Sequence, residues 1–128
     1  MGAGMTDPSQ MAPLALAWIG DAVYELIVRR RILSEGSRPV QKLHREGIRY
    51  VNAAAQAALL DSLEERLTDE EKSVCRRGRN ANVNTAPKNQ SLADYHKATG
   101  FEALIGWLYL KGDIARILEL CGESGDHL

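Results

Sequence analysis

The stretch Leu14-Ala15-Leu16-Ala17-Trp18-Ile19-Gly20-Asp21-Ala22-Val23-Tyr24-Glu25-Leu26-Ile27-Val28 decides the fold. Its apolar residues fall on several faces when wound at helical periodicity, the pattern of a helix buried in a core. Asp21 sits in its middle. Ionised carboxylates are rarely buried alone, because desolvation costs several kcal/mol. A second stretch, Phe101-Glu102-Ala103-Leu104-Ile105-Gly106-Trp107-Leu108-Tyr109-Leu110, repeats the oddity with Glu102. Gly20 and Ala22 flank the first acid, and Gly100 and Ala103 lie beside the second. Small residues let two helices approach closely, which would bring both acids to one point. Like charges at one point repel unless a cation or a proton lies between them. No lysine or arginine occurs within three residues of either acid. A hard cation with oxygen ligands, Mg²⁺ or Mn²⁺, is the natural counterion, and such ions serve phosphoryl chemistry. Glu25, one turn after Asp21, is either a third or outer ligand or the i,i+4 ion-pair partner of Arg29. The competing reading of Asp21 is a buried acid accepting hydrogen bonds from a tyrosine or tryptophan.

Working outward, helical periodicity runs nearly throughout, and no period-2 alternation bounded by turn residues occurs. A first helix is expected from Pro13 to Leu33, ended by Ser34-Glu35-Gly36. Ser37 is expected to cap a short helix from Pro39 to Gly47, and Asn52 a third over Ala53–Leu67. Thr68 and Glu71 form a capping box for a fourth, ending near Gly78. Asn80 to Gln90 reads as a long loop. Ser91 with Asp94 opens a fifth helix, Leu92–Leu110, broken by Gly112, and a last one spans Asp113–Leu120. The expectation is an all-α single domain over residues 11–122. Residues 1–10 read as a disordered, tag-derived start, a cloning remnant before a native Met5, and 123–128 as a polar tail.

With 128 residues, 45% of them hydrophobic and 26% charged, the chain suits one globular domain. Sixteen basic against 17 acidic side chains exclude a globally cationic nucleic-acid binder, but not a local basic patch. Two isolated cysteines, Cys75 and Cys121, argue against a disulfide scaffold or a zinc site and fit a reducing compartment. No apolar run is long enough for a membrane span, and no export signal precedes the first helix, so the cytoplasm is expected.

Charge is uneven along the chain. Lys72 to Ala93 contains no acid, yet holds Lys72, Arg76, Arg77, Arg79 and Lys88, interleaved with Asn80, Asn82, Asn84, Asn89 and Gln90. Arginines match phosphate oxygens, and asparagines serve groove edges and ribose hydroxyls. The bland alternative is a solvated helix end with dipole-complementing charges. Arg29, Arg30 and Arg31 suit that alternative better than phosphate contact. His44, His96 and His127 are too scattered for ligands, and seven aromatics, mostly inside apolar stretches, make a poor base-stacking platform.

Trp18-Ile19-Gly20-Asp21-Ala22-Val23-Tyr24-Glu25 resembles the signature helix of the ribonuclease III catalytic domain. Phe101–Leu110 resembles that family's second metal-binding helix. Arg76-Arg77-Gly78-Arg79-Asn80-Ala81, Pro87-Lys88-Asn89 and the segment from Tyr95 to Gly106 are similar to the Mini-ribonuclease III branch, which lacks a double-stranded-RNA-binding domain. The resemblance spans Met11 to Cys121. It implies a homodimeric Mg²⁺-dependent endoribonuclease that cuts double-stranded RNA to 5′-phosphate and 3′-hydroxyl ends. The implied substrate is precursor 23S (large-subunit) ribosomal RNA, with a ribosomal protein as a further partner. Asp21 and Glu102 match the catalytic and metal-binding acids, and Arg76–Asn80 matches a loop that approaches RNA. Larger relatives carry acids where this chain has Ala17 and Thr99, and Asn82 stands where relatives carry a lysine. These losses suit the branch and imply weaker metal binding. Two other readings stay open. One is a non-catalytic RNA- or ribosome-binding helical module with a degenerate metal site; the other is a plain helical protein-interaction domain.

Overall fold

The structure, a computed structural model, describes residues 7–81, 86–88 and 90–122. Asn82 and the 123–128 tail lie outside the described residues. Among the described residues six α-helices follow one another: α1 Pro13–Ser34, α2 Val40–Ile48, α3 Ala53–Leu63, α4 Asp69–Ala81, α5 Leu92–Leu110 and α6 Ile114–Leu120. Among the described residues there is no strand. The fold is all-α, as the periodicity predicts.

The caps are those the sequence announces. Asn52 Oδ1 accepts from the Ala55 N–H at 2.8 Å, and Ser91 Oγ accepts from Asp94 at 3.0 Å. Thr68 Oγ1 accepts from the Glu71 N–H at 3.1 Å while Glu71 Oε1 accepts from the Thr68 N–H at 2.8 Å, closing the capping box. Three boundaries differ from expectation. Pro39, not Ser37, is the residue before α2. α3 tightens into a 3-10 turn at Glu64–Arg66, and Leu67 is extended. α4 runs past Gly78 to Ala81, because Gly78 serves packing rather than a turn: a Cβ there would come within 2.9 Å of Gly100 Cα and Ala103 Cβ on α5.

α5 is the axis of the molecule, packed against α1 most extensively, then α4 and α3, with α6 folded back on it. That explains a helix apolar on all sides. Phe101, Leu104, Ile105 and Leu108 are fully buried among Leu16, Ile27, Ile117 and Leu118. Each contributes about 1.5–3 kcal/mol by leaving water. Tyr24 meets Phe101 edge-on, ring centroids 5.0 Å apart. Arg116 of α6 grips Glu71 through two donors at 2.9 and 2.8 Å and donates to the Arg66 carbonyl at 2.8 Å, tying three elements together.

Two expectations are corrected. α1 is not enclosed: it buries Leu16, Gly20, Val23, Tyr24, Ile27 and Val28, but leaves Leu14, Trp18 and Leu26 open on the opposite stripe, where no element among the described residues covers them, and Leu33 exposed in a groove shared with Val40 and Leu43 of α2. Residues 7–10 belong to the fold rather than to a disordered start. Pro8–Gln10 forms a 3-10 turn in which Ser9 Oγ accepts from Trp107 Nε1 at 3.1 Å.

Candidate active site

The site arises where α1 and α5 touch backbone to backbone. A Cβ on Gly20 would fall 2.8 Å from the Gly106 nitrogen and closer still to the Glu102 carbonyl; one on Gly106 would meet the Leu16 carbonyl. No other residue type fits either position without parting the helices. Gly20 immediately precedes Asp21, so the contact places that acid beside Glu102. The second small residue is Gly106, not Gly100, which instead lets α4 approach: its Cβ would lie 2.6 Å from the Cys75 carbonyl.

Asp21 lies on the exposed side of α1, while Glu102 is half-buried. The Asp21 and Glu102 carboxyls are within hydrogen-bonding reach of each other. Burial first, then the neighbouring Asp21 carboxyl, pushes the Glu102 pKa up to about 8. Gln56 of α3, only 3% exposed, opposes that rise by donating Nε2–H to Glu102 Oε2 at 3.4 Å. None of these influences is a cation. A pair of acids driven together without a positive neighbour favours a proton or a metal ion.

Glu25 is engaged elsewhere: its Oε1 accepts from Arg29 Nη2 at 2.6 Å, the i,i+4 pair. Among the described residues no group of three or more acid, histidine or cysteine side chains converges on a metal-sized point. Ala17 is buried at its position, and Thr99 Oγ1 donates to the Tyr95 carbonyl at 3.0 Å.

The basic segment divides. Arg76–Asn80, which the resemblance matched to a loop, forms the last turns of α4, so Asn80, expected to open the long loop, is helical. Arg76, Arg79 and Asn80 line a groove of about 450 Å³ with Lys72 and with Lys97 of α5. Its other wall carries Asp61 and Glu64, and Lys97 Nζ pairs with Asp61 at 3.1 Å. Arg77 points away and donates to the Ser9 carbonyl at 3.1 Å, holding the N-terminal turn. Lys88 is exposed. Lys72, counted in the basic segment, takes its place in the groove, whereas Lys97 as a groove cation and Gln56 were not anticipated from the sequence. The available signal for Gln56 was one polar side chain on the inward face Ala53, Gln56, Ala57, Leu60, Leu63. Cys75 is a buried thiol pushed up to about 12 chiefly by burial, hence inert.

This helical frame is that of a ribonuclease III domain, and residues 14–113 match the family profile described as Ribonuclease III domain. The Mini-ribonuclease 3 of Symbiobacterium thermophilum is 47% identical over 124 residues, covering 97% of this chain and 95% of that protein. The Mini-ribonuclease 3 of Thermoanaerobacter sp. is 49% identical over 113 residues, covering 86% of this chain and 80% of that protein. A crystal structure of a Fusobacterium nucleatum protein superposes with a TM-score of 0.84 at 30% identity, covering 92% of this chain and 96% of that one. The chain belongs to the Mini-ribonuclease 3 branch of the ribonuclease III family and is an endoribonuclease.

Proposed function

We propose that the chain hydrolyses double-stranded RNA with Mg²⁺, for which Mn²⁺ substitutes, and matures the ends of precursor 23S ribosomal RNA in the cytoplasm. The observation that carries this reading is the meeting of the Asp21 and Glu102 carboxyls at the α1–α5 contact. The donor set fits a hard cation: two carboxylates beside a neutral amide. Asp21 and Glu102 would hold the ion, with Glu25 joining as an outer ligand only by leaving Arg29. Held by Asp21 and Glu102, such an ion would supply Lewis-acid polarisation of a phosphate oxygen and a lowered pKa for water. In the net reaction a water oxygen bonds to phosphorus, the P–O3′ bond breaks, and the 3′-oxygen takes up a proton. Products are 5′-phosphate and 3′-hydroxyl ends.

Arg76, Arg79 and Asn80, with Lys72 and Lys97, orient the duplex through phosphate and ribose contacts, and exposed Lys88 adds positive charge. Arg77 reaches RNA only with N–H groups other than the one given to Ser9. Recognition is by shape, since the A-form major groove is closed to side chains. A homodimer is supported by the stripe Leu14, Trp18, Leu26, which shares Asp21's side of α1 and leaves Trp18 80% exposed. Contiguous apolar surface of this kind marks an interface. Two copies joined there would present two acid pairs to one duplex. A ribosomal protein that presents the RNA is a further partner in this reading.

The rival, a non-catalytic RNA-binding module, rests on the missing acids at Ala17 and Thr99. Incubation of a long RNA duplex with wild type and Asp21→Asn separates the two. Wild type yields fragments with Mg²⁺ and none in EDTA, and Asp21→Asn yields none while still binding duplex. Full Mg²⁺-dependent cleavage by Asp21→Asn overturns the role given to that acid; duplex binding without fragments in any condition favours the rival.

A further inference from the structure

We propose that Gln56 is the positioning residue of the acid pair, a neutral amide that holds the Glu102 carboxyl toward Asp21 while leaving the pair's negative charge available to a cation. The inference rests on the reading of Asp21 and Glu102 as the metal-holding pair.

Gln56 occupies the inward face of α3, where its buried neighbours Ala53, Ala57, Leu60 and Leu63 are all apolar. It is 3% exposed. A buried amide without a partner costs about 1–3 kcal/mol, so an alanine or leucine would serve α3–α5 packing at lower cost. What the amide meets is the Glu102 carboxyl, through Nε2–H···Oε2 at 3.4 Å. The contact bridges two helices, α3 and α5, and reaches the carboxyl independently of Asp21 on α1. Glu102 is thus held by elements on either side.

The chemistry of the residue suits this task. An amide N–H donates to a carboxyl oxygen whether or not the other oxygen is protonated. A lysine at this point would neutralise the pair and displace the cation. A glutamate would add a third like charge and drive the helices apart in the metal-free protein. Glutamine does neither. Ala17 supplies no anchor, and Thr99 has its hydroxyl turned back to the Tyr95 carbonyl of its own helix. Outer-sphere partners that fix a ligand typically govern metal affinity by about 10- to 100-fold.

The test is Mg²⁺ binding by the full chain without RNA, followed by calorimetry and by the rise in Tm, for wild type, Asp21→Asn, Gln56→Met and Gln56→Asn. Methionine matches the length of glutamine without its N–H, and asparagine keeps the amide but is one methylene short. The expected result is metal-free melting close to wild type for a Gln56 variant that folds, with Mg²⁺ affinity about tenfold weaker. In duplex cleavage the Mg²⁺ concentration for half activation rises by the same factor, and the rate at saturating Mg²⁺ stays within about twofold. Should Gln56→Met not fold, Gln56→Asn carries the test. Wild-type Mg²⁺ affinity in the folded Gln56 variants, with binding lost in Asp21→Asn, overturns the role of Gln56 alone. A wild type that binds no Mg²⁺, or an Asp21→Asn that binds as wild type does, overturns instead the reading of the acid pair.

Discussion

Replacing Glu102 by glutamine should stabilise the metal-free protein, and more so as the pH rises. Burial and the Asp21 carboxyl keep a proton on Glu102 up to about pH 8, against 4.5 for an unperturbed glutamate. The unfolded chain releases that proton near the lower value, the folded chain only near the higher one. Between them the folded state binds more protons, so stability falls as pH rises. The contribution is complete below the unfolded pKa and gone once the pH has passed the folded one. Each pH unit inside that window removes at most about 1.4 kcal/mol. Residual access to water screens the effect, which brings the loss across the window to about 2 kcal/mol. Glutamine imitates the protonated acid and never ionises. Urea unfolding should therefore give wild type and Glu102→Gln equal stability near about pH 5, and an advantage of about 2 kcal/mol to the variant above about pH 8. Mg²⁺ should close that gap by stabilising wild type alone, because the cation takes the place of the proton. A variant that is no more stable than wild type above pH ~8, or a gap independent of pH, refutes the reasoning.

Further outcomes follow from the same geometry. Arg116→Met leaves Glu71 charged and buried, and should cost about 3–5 kcal/mol in urea unfolding at neutral pH. Arg116 chiefly lowers the Glu71 pKa, so the stability Glu71 contributes is present above about pH 4.5 and lost as the pH falls; the deficit of Arg116→Met should accordingly shrink near about pH 3. Gly20→Ala forces a methyl group into the Glu102 carbonyl and should cost about 3 kcal/mol and abolish duplex cleavage, measured by urea unfolding and gel assay. Trp18→Glu places a charge on the open stripe of α1, and sedimentation should show a folded monomer where wild type sediments as a dimer.

Much of the architecture could be read directly from local chemistry. Asn52, Thr68 with Glu71, Ser91 and Asp113 each bond the backbone N–H three residues on, so their helices begin where capping residues say they must. Gly78 misled for a physical reason: a glycine serves equally to end a helix or to admit a neighbour, and only the position of α5 decides between them. The open side of α1 was illegible for a similar reason. Leu14, Trp18 and Leu26 look like core residues, and no element among the described residues covers them. The approach of Asp21 to Glu102 was anticipated from flanking small residues, although Gly106 rather than Gly100 makes the contact. Gln56 lies 46 positions from Glu102, and no local pattern joins two residues that meet only through the packing of α3 on α5.

Asp21 and Glu102 should grip one ion together. Crystals of the chain grown with Mn²⁺ and measured at an anomalous wavelength test that directly. The expected result is a single strong peak within about 2.5 Å of a carboxylate oxygen of each acid. A peak bound to neither, or two carboxyls turned apart with the ion elsewhere, contradicts it.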